Sequence, residues 1–165
     1  MKRLLIIGAG GHGQVVKEIA EACEYDAIDF LDDNVSYAVG KINEMSYKAL
    51  NYDGVIVAIG NNVIRRRITE QLENVEGITN VTLIHPTAFV SGSAIIGKGT
   101  VVEPRAIINA NSKIGEGCII SVGAILDHNC CIGYFSHINA GAICMAGSNV
   151  KALTKVNAGE VIEGS

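Results

Sequence analysis

The chain has 165 residues, a net charge of -4 at pH 7, and 48% apolar but only 5% aromatic residues, with no tryptophan. That acidic balance leaves no basic footprint for a nucleic acid, and the longest apolar run near the start, Leu4 to Ile7, is too short for a signal peptide or a membrane span. The chain reads as cytoplasmic. Five cysteines form an odd set with no C-x-x-C pair, which argues against a disulfide framework and against a zinc ribbon.

Lys2 to Ile7 reads as a buried strand, after which Gly8-Ala9-Gly10-Gly11-His12-Gly13 opens a helix with Val15, Val16, Ile19 and Ala20 on its apolar side. Strand, glycine-rich turn and helix in that order make a phosphate or nucleotide site, because bare backbone and helix N-terminal N–H groups can approach an anion closely. His12 is the one residue of that loop with ring chemistry to offer a ligand or the neighbouring backbone; packing at a helix start is the competing reading. A second strand, Ala27 to Leu31, ends in Asp32-Asp33, and a third, Gly54 to Ile59, ends in Gly60-Asn61-Asn62 before a helix with Ile64, Ile68 and Leu72 at helical spacing. All three strands deliver glycine or polar residues at their carboxyl ends, where open α/β sheets bind ligands. A dinucleotide fold needs two such halves, so a mononucleotide or nucleotide sugar is preferred to NAD. Of Arg65, Arg66 and Arg67, a solvated face accounts for at least two and leaves one as a candidate phosphate contact.

From Ile84 to Ile162 a branched aliphatic residue recurs at every sixth position, with Cys144 as the one departure. A small residue follows four places after each anchor, from Ala88 to Thr154, until Glu160 breaks the rule. A period of six fits neither a helix nor an alternating strand. It fits a hexapeptide β-solenoid, in which each short strand turns one aliphatic knob inward and successive coils stack their knobs into a column. Gly97, Gly115 and Gly133, directly after anchors, together with Asn109, Asp127, Asn139 and Asn157, are the expected corner formers. A sandwich of regular short strands would instead show turn signals every eight to twelve residues. The chain therefore divides into an α/β unit over 1–83 and a solenoid over 84–165.

Cys118 and Cys130 fall in the small slot and Cys144 in an anchor slot, as buried hydrophobes. A metal site built from His128, Cys130, Cys131 and His137 would need adjacent cysteines to point the same way, which they do not on a strand or corner, so no metal is expected. His128 and His137 lie nine residues apart, half of an eighteen-residue coil, at different places of their hexads. Spacing alone does not mark either as a base, and His85, before Pro86, is most simply structural.

The segments Gly8-Ala9-Gly10-Gly11-His12-Gly13, Phe30-Leu31-Asp32-Asp33, Ala58-Ile59-Gly60-Asn61-Asn62 with Ile64-Arg65, Leu83-Ile84-His85, and Asp127-His128-Asn129-Cys130 through Ile132-Gly133 to Ser136-His137 together resemble the bacterial nucleotide-sugar acetyltransferases. That family includes UDP-4-amino-sugar N-acetyltransferases and sialic acid O-acetyltransferases. The resemblance implies a Rossmann-like N-terminal domain followed by a left-handed parallel β-helix, assembled as a homotrimer with sites between subunits. It implies a UDP-sugar held by Gly10, Gly11, His12, Asp32, Asp33 and Gly60, with His128 as general base and His137 against acetyl-CoA. A sugar amine must lose a proton as it attacks a thioester, and an imidazole can accept it, a contribution on the order of 10²- to 10⁴-fold in rate. Direct transfer needs no acyl-enzyme on Cys130 or Cys131.

The chain departs from the family pattern at Asn129, where many relatives carry an acid beside the base; Asn129 still offers the ring a hydrogen bond, and Asp127 is the alternative partner. Met145 and Lys151 stand where corner glycines are expected, and Leu153 where a small polar residue is usual. Relatives usually continue with further coils that hold coenzyme A, and Ala158 is the nearest equivalent here of a later coenzyme contact. The alternative expectation is a trimeric nucleotide-sugar-binding protein with weak or no transferase activity.

Overall fold

The computed structural model describes residues 1–164. Strands β1 (Arg3–Ile7), β2 (Ala27–Leu31) and β3 (Gly54–Val57) form a parallel sheet in the order β2-β1-β3, with α1 (Gly11–Ala22) following β1 and α3 (Asn62–Glu73) following β3. The apolar run of β1 is explained by two cores. Leu4 and Ile6 face a cluster with Val16, Ile19 and Ala20 of α1, whereas Leu5 and Ile7 face one with Ile68 and Leu72 of α3. Successive residues of a strand point to opposite faces, so a sheet covered on both sides reads as continuous rather than alternating.

Both helices sit rotated from the expected stripes. The buried side of α1 is Gly13, Val16, Ile19 and Ala20, while Val15 is exposed. The buried side of α3 is Asn62, Arg65, Ile68, Thr69 and Leu72, and Ile64 is 39% exposed. Between β2 and β3 the chain makes short helical turns, Ile42–Glu44, α2 (Met45–Lys48) and Ala49–Asn51, which the sequence reading did not anticipate.

The second half is a left-handed parallel β-helix of about four turns. Its first face stacks Leu83–Ile84, Val101–Val102, Ile119–Ile120, His137–Ile138 and Lys155–Val156. The second stacks Phe89–Val90, Ile107–Ile108, Ile125–Leu126, Ile143–Cys144 and Val161–Ile162; the third stacks Ile95–Ile96, Lys113–Ile114, Cys131–Ile132 and Asn149–Val150. Every pairing is parallel and eighteen residues apart, as in Ile119 with His137. The sixth-position anchors from Val102 to Val156 form one buried cluster, with Cys144 in its expected place.

The small residues do more than fit. At two of the three corners they form hydrogen-bonded ladders: Thr100 Oγ1 donates to Gly115 O and accepts from Cys118 N, while Ser112 Oγ donates to Asp127 O and accepts from Cys130 N. Cys118 Sγ continues one ladder to Gly133 O, and Cys130 Sγ the other to Met145 O. Each side chain satisfies backbone groups that the prism buries. At the remaining corner Ala106, Ala124 and Ala142 fill the slot without polar atoms.

The corner chemistry corrects the sequence reading. From Ile96 onward the left-handed backbone position is the third residue after the anchor, occupied by Gly99, Arg105, Asn111, Gly117, Gly123, Asn129, Phe135, Gly141, Gly147, Leu153 and Gly159, all with positive φ. Gly97, Gly115 and Gly133 lie on one corner only and serve close approach: a Cβ there would stand 2.4, 2.5 and 2.3 Å from backbone nitrogens of the next coil. Met145 therefore replaces no glycine, because its corner carries Asn109 and Asp127 at the equivalent places, and Leu153 stands in the left-handed position itself.

Candidate active site

Five of the six residues expected to hold the sugar nucleotide, Gly10, Gly11, His12, Asp32 and Gly60, line one open hollow of about 480 Å³ at the carboxyl ends of the strands. Asp33 lines an adjoining hollow of about 380 Å³ with Asn43, Arg67 and Gln71; the two share Ile42, Ile59 and Ile64. Asp32 shapes the glycine loop directly: its Oδ2 accepts from Ala9 N at 2.8 Å and its Oδ1 from Asn34 N. Those backbone donors, that of Ala9 above all, hold its carboxyl below the usual range. Asp33 Oδ1 accepts from Ile42 N, so this carboxylate anchors the short helical turns. Gly8 (φ 101°) accounts for the tightness of the loop, since a Cβ there would meet Ala58 O at 2.9 Å.

His12 leaves the loop toward the β-helix. Its Nδ1 lies 3.6 Å from Oε1 of Glu103, a buried carboxylate whose Oε2 accepts from Val122 N. The ring of His137 is 6.5 Å away, centroid to centroid, with its Nε2 2.9 Å from Ser121 Oγ. His12 Nε2 and His137 Nδ1 are both buried without a hydrogen-bond partner among the described residues. Burial, and secondarily the charge of Arg65, pushes both imidazoles down to about 4, and burial pushes the Glu103 carboxyl up.

Arg65 is the residue the sequence reading placed least well. It is 1% exposed, and its guanidinium is engaged by protein acceptors rather than presented to solvent. Its guanidinium donates to Gly117 O at 2.7 Å, Ile59 O at 2.9 Å, Phe135 O at 3.0 Å and Asn62 Oδ1 at 2.8 Å. Arg66 pairs with Glu70 on the surface, and Arg67 is exposed. The helical period itself carried the missing signal: Asn62, Arg65, Thr69 and Leu72 are spaced three and four apart, so the arginine shares the inward face.

His128 stands apart from this cluster. It is exposed at the corner between the second and third faces, opposite the first face that carries His137 and receives the N-terminal domain. Its Nδ1 is 2.8 Å from Asn129 Nδ2, and Asn129 occupies the left-handed corner position that asparagine tolerates well. Asp127 does not take the place of an acid beside the ring: its Oδ1 accepts from the backbone N of His128 and from Asn109 Nδ2. Ala158 is exposed at the corner between the first and second faces. Cys130 points inward and Cys131 outward, so His128, Cys130, Cys131 and His137 do not converge on one point.

Comparisons with known proteins agree with this architecture. Residues 3–72 match the PglD N-terminal domain family. The acetyltransferase domain of PglB from Neisseria gonorrhoeae FA1090 superposes with a TM-score of 0.92 at 37% identity, over 98% of this chain and 82% of that one. The chain belongs to the hexapeptide-repeat nucleotide-sugar acetyltransferases. Within this family, the same domain of PglB in complex with acetyl coenzyme A gives a TM-score of 0.91 at 38% identity, over 97% of this chain and 81% of that one. PerB from Caulobacter crescentus, in complex with CoA and GDP-perosamine, gives 0.81 at 31% identity, over 100% and 90%. A UDP-N-acetylbacillosamine N-acetyltransferase of Bacillus subtilis is 36% identical over 115 residues, and the chain spans about half the length of that curated relative.

Proposed function

We propose that the protein transfers the acetyl group of acetyl-CoA to the amine of a nucleotide-linked amino sugar, with a UDP-sugar as the first choice of acceptor. The observation that carries this reading is the approach of His12 to His137. The residue assigned to the sugar nucleotide and the residue assigned to the acetyl donor belong to different domains, yet their rings lie 6.5 Å apart. On this reading acceptor and donor meet at one corner of the prism.

The base must then come from a neighbouring copy. Within one chain His128 lies across the prism from that corner, while the second face presents an outward column of Phe89, Ile107, Ile125, Ile143 and Val161, with Phe89 58% and Val161 50% exposed. An uninterrupted apolar column on a solvated sheet marks an interaction surface. Three copies packed with these faces around a threefold axis close a heterologous ring. In that ring the His128 corner of one copy meets the Glu103, Ser121 and Ala158 corner of the next.

There the amine nitrogen attacks the thioester carbonyl as His128 takes its proton; the C–N bond forms, the C–S bond breaks, and the proton passes to the departing thiolate. Rotated so that its Oδ1 faces the ring, the Asn129 amide would hold the proton on Nδ1 and leave Nε2 free to act. The two neutral, half-buried imidazoles would contact the substrates in this scheme, whereas His128 is exposed at the seam. No metal or acyl-enzyme takes part in this scheme.

Free thiol release from acetyl-CoA with a panel of UDP- and GDP-linked amino sugars tests the reading. Turnover is expected, with His128→Ala lowering it by about 10²- to 10⁴-fold at unchanged sugar binding. Measurable sugar-nucleotide binding with no turnover on any acceptor would instead favour a trimeric binding protein, a reading to which the uncharged partner of His128 lends weight.

A further inference from the structure

The guanidinium of Arg65 is buried among carbonyls with no carboxylate paired to it among the described residues. Nη1 reaches Ile59 O and Gly60 O, at the turn that lines the sugar-nucleotide hollow. Nε reaches Gly117 O, and Nη2 reaches Phe135 O and Ser136 O, the residues immediately before His137. Asn62, which accepts from Nη2, extends the contact by donating to Leu153 O and Thr154 O, one coil further along. One planar fork and its amide neighbour thus span three successive coils on one corner and the turn of the opposing sheet.

An unpaired buried cation is an expensive way to fasten two domains, since apolar contacts would do so at less cost in desolvation. A planar, multidentate donor does what apolar packing does not: it fixes the direction and separation of the carbonyls it binds. We infer that Arg65 is a positioning residue for the transfer, acting through Gly60 and His137 to hold the sugar-nucleotide cradle and the acetyl-donor subsite at one fixed separation. This rests on the proposed acetyl transfer for its kinetic consequence but not for its geometry. Burial is the larger reason that both rings stay neutral, and the charge of Arg65 adds to it at His12 and at His137, with Glu103 beside the first ring and Lys155 beside the second.

Two substitutions separate positioning from mere stabilisation. Arg65→Lys keeps the charge and loses the fork: kcat is expected to fall by about 10²-fold with both substrates saturating, while affinity for each substrate alone changes by less than about threefold. Arg65→Gln removes the charge, and ring proton NMR titration is expected to show the midpoints of both His12 and His137 moving upward together. An unchanged kcat in the lysine variant would overturn the inference, as would equal loss of both single-substrate affinities with a collapsed fold, or movement of only one ring in the glutamine variant. If the glutamine variant does not fold, the kinetic split in the lysine variant decides. If the wild-type protein turns over no acceptor, acetyl transfer fails as the reading, and the paired movement of the two rings still tests Arg65.

Discussion

At the scale of single residues, the two half-buried imidazoles of His12 and His137 make stability depend on pH. His12 and His137 are held neutral to about pH 4 in the fold, whereas unfolded histidines titrate near 6.5. Between those values the unfolded chain binds more protons, so stability falls as pH drops through the window, by up to ~1.4 kcal/mol per unit for His12. His137, the less deeply buried, contributes less, and Glu103, raised by burial, pulls in the opposite direction. Urea unfolding at pH 7.5 and 5 is expected to show lower stability at the acid value, with a shallower dependence in His12→Asn. Why His12 has these neighbours was not legible in the chain. Glu103 is ninety-one positions away and occupies an ordinary corner place of its hexad, so only the docking of the two domains brings them together.

At the scale of elements, two kinds of glycine separate by what a methyl group would meet. Gly141 has φ 66° and open space around its missing Cβ, so Gly141→Ala carries only the conformational cost, about 1–2 kcal/mol. At Gly133 a Cβ would stand 2.3 Å from Ala152 N, and the coils would have to separate. Gly133→Ala is therefore expected to cost more, about 2–3 kcal/mol, and denaturant midpoints of the two variants would show the order. The hexad was legible because each anchor faces the same column, and a sixfold repeat survives any choice among aliphatic residues. The left-handed position was not, because Arg105, Phe135 and Leu153 occupy it beside the glycines and hide its period. Phe135 tolerates that backbone while burying its ring over Gly117, whose Cβ would meet Phe135 Cε1 at 2.2 Å. The short turns between residues 42 and 51 are too brief for any period to register.

At the scale of the whole molecule, the proposed site exists only between copies, and this is testable without a bound substrate. Ile107→Glu places a charge in the middle of the apolar column and is expected to give monomers by sedimentation, with the β-helix signal retained in circular dichroism and turnover lost. A second test mixes inactive chains. Copies carrying His128→Ala and copies carrying His12→Ala, assembled at equal amounts, are expected to regain about a quarter of wild-type turnover, because random assembly around the proposed threefold axis would leave that share of seams intact. Mixed chains that stay as dead as either parent would place each site within one copy. The sequence could supply His12 and His128 as separate candidates, but nothing in their spacing says that the prism stands between them.

The adjacent thiols of Cys130 and Cys131 illustrate how thin the wall of such a prism is. One sulfur is sealed in the hydrogen-bonded ladder, while the other looks out from the third face, used by neither the N-terminal domain nor the apolar column. A dye coupled there would sit outside the apolar column, and energy transfer between labelled copies would report their assembly in real time.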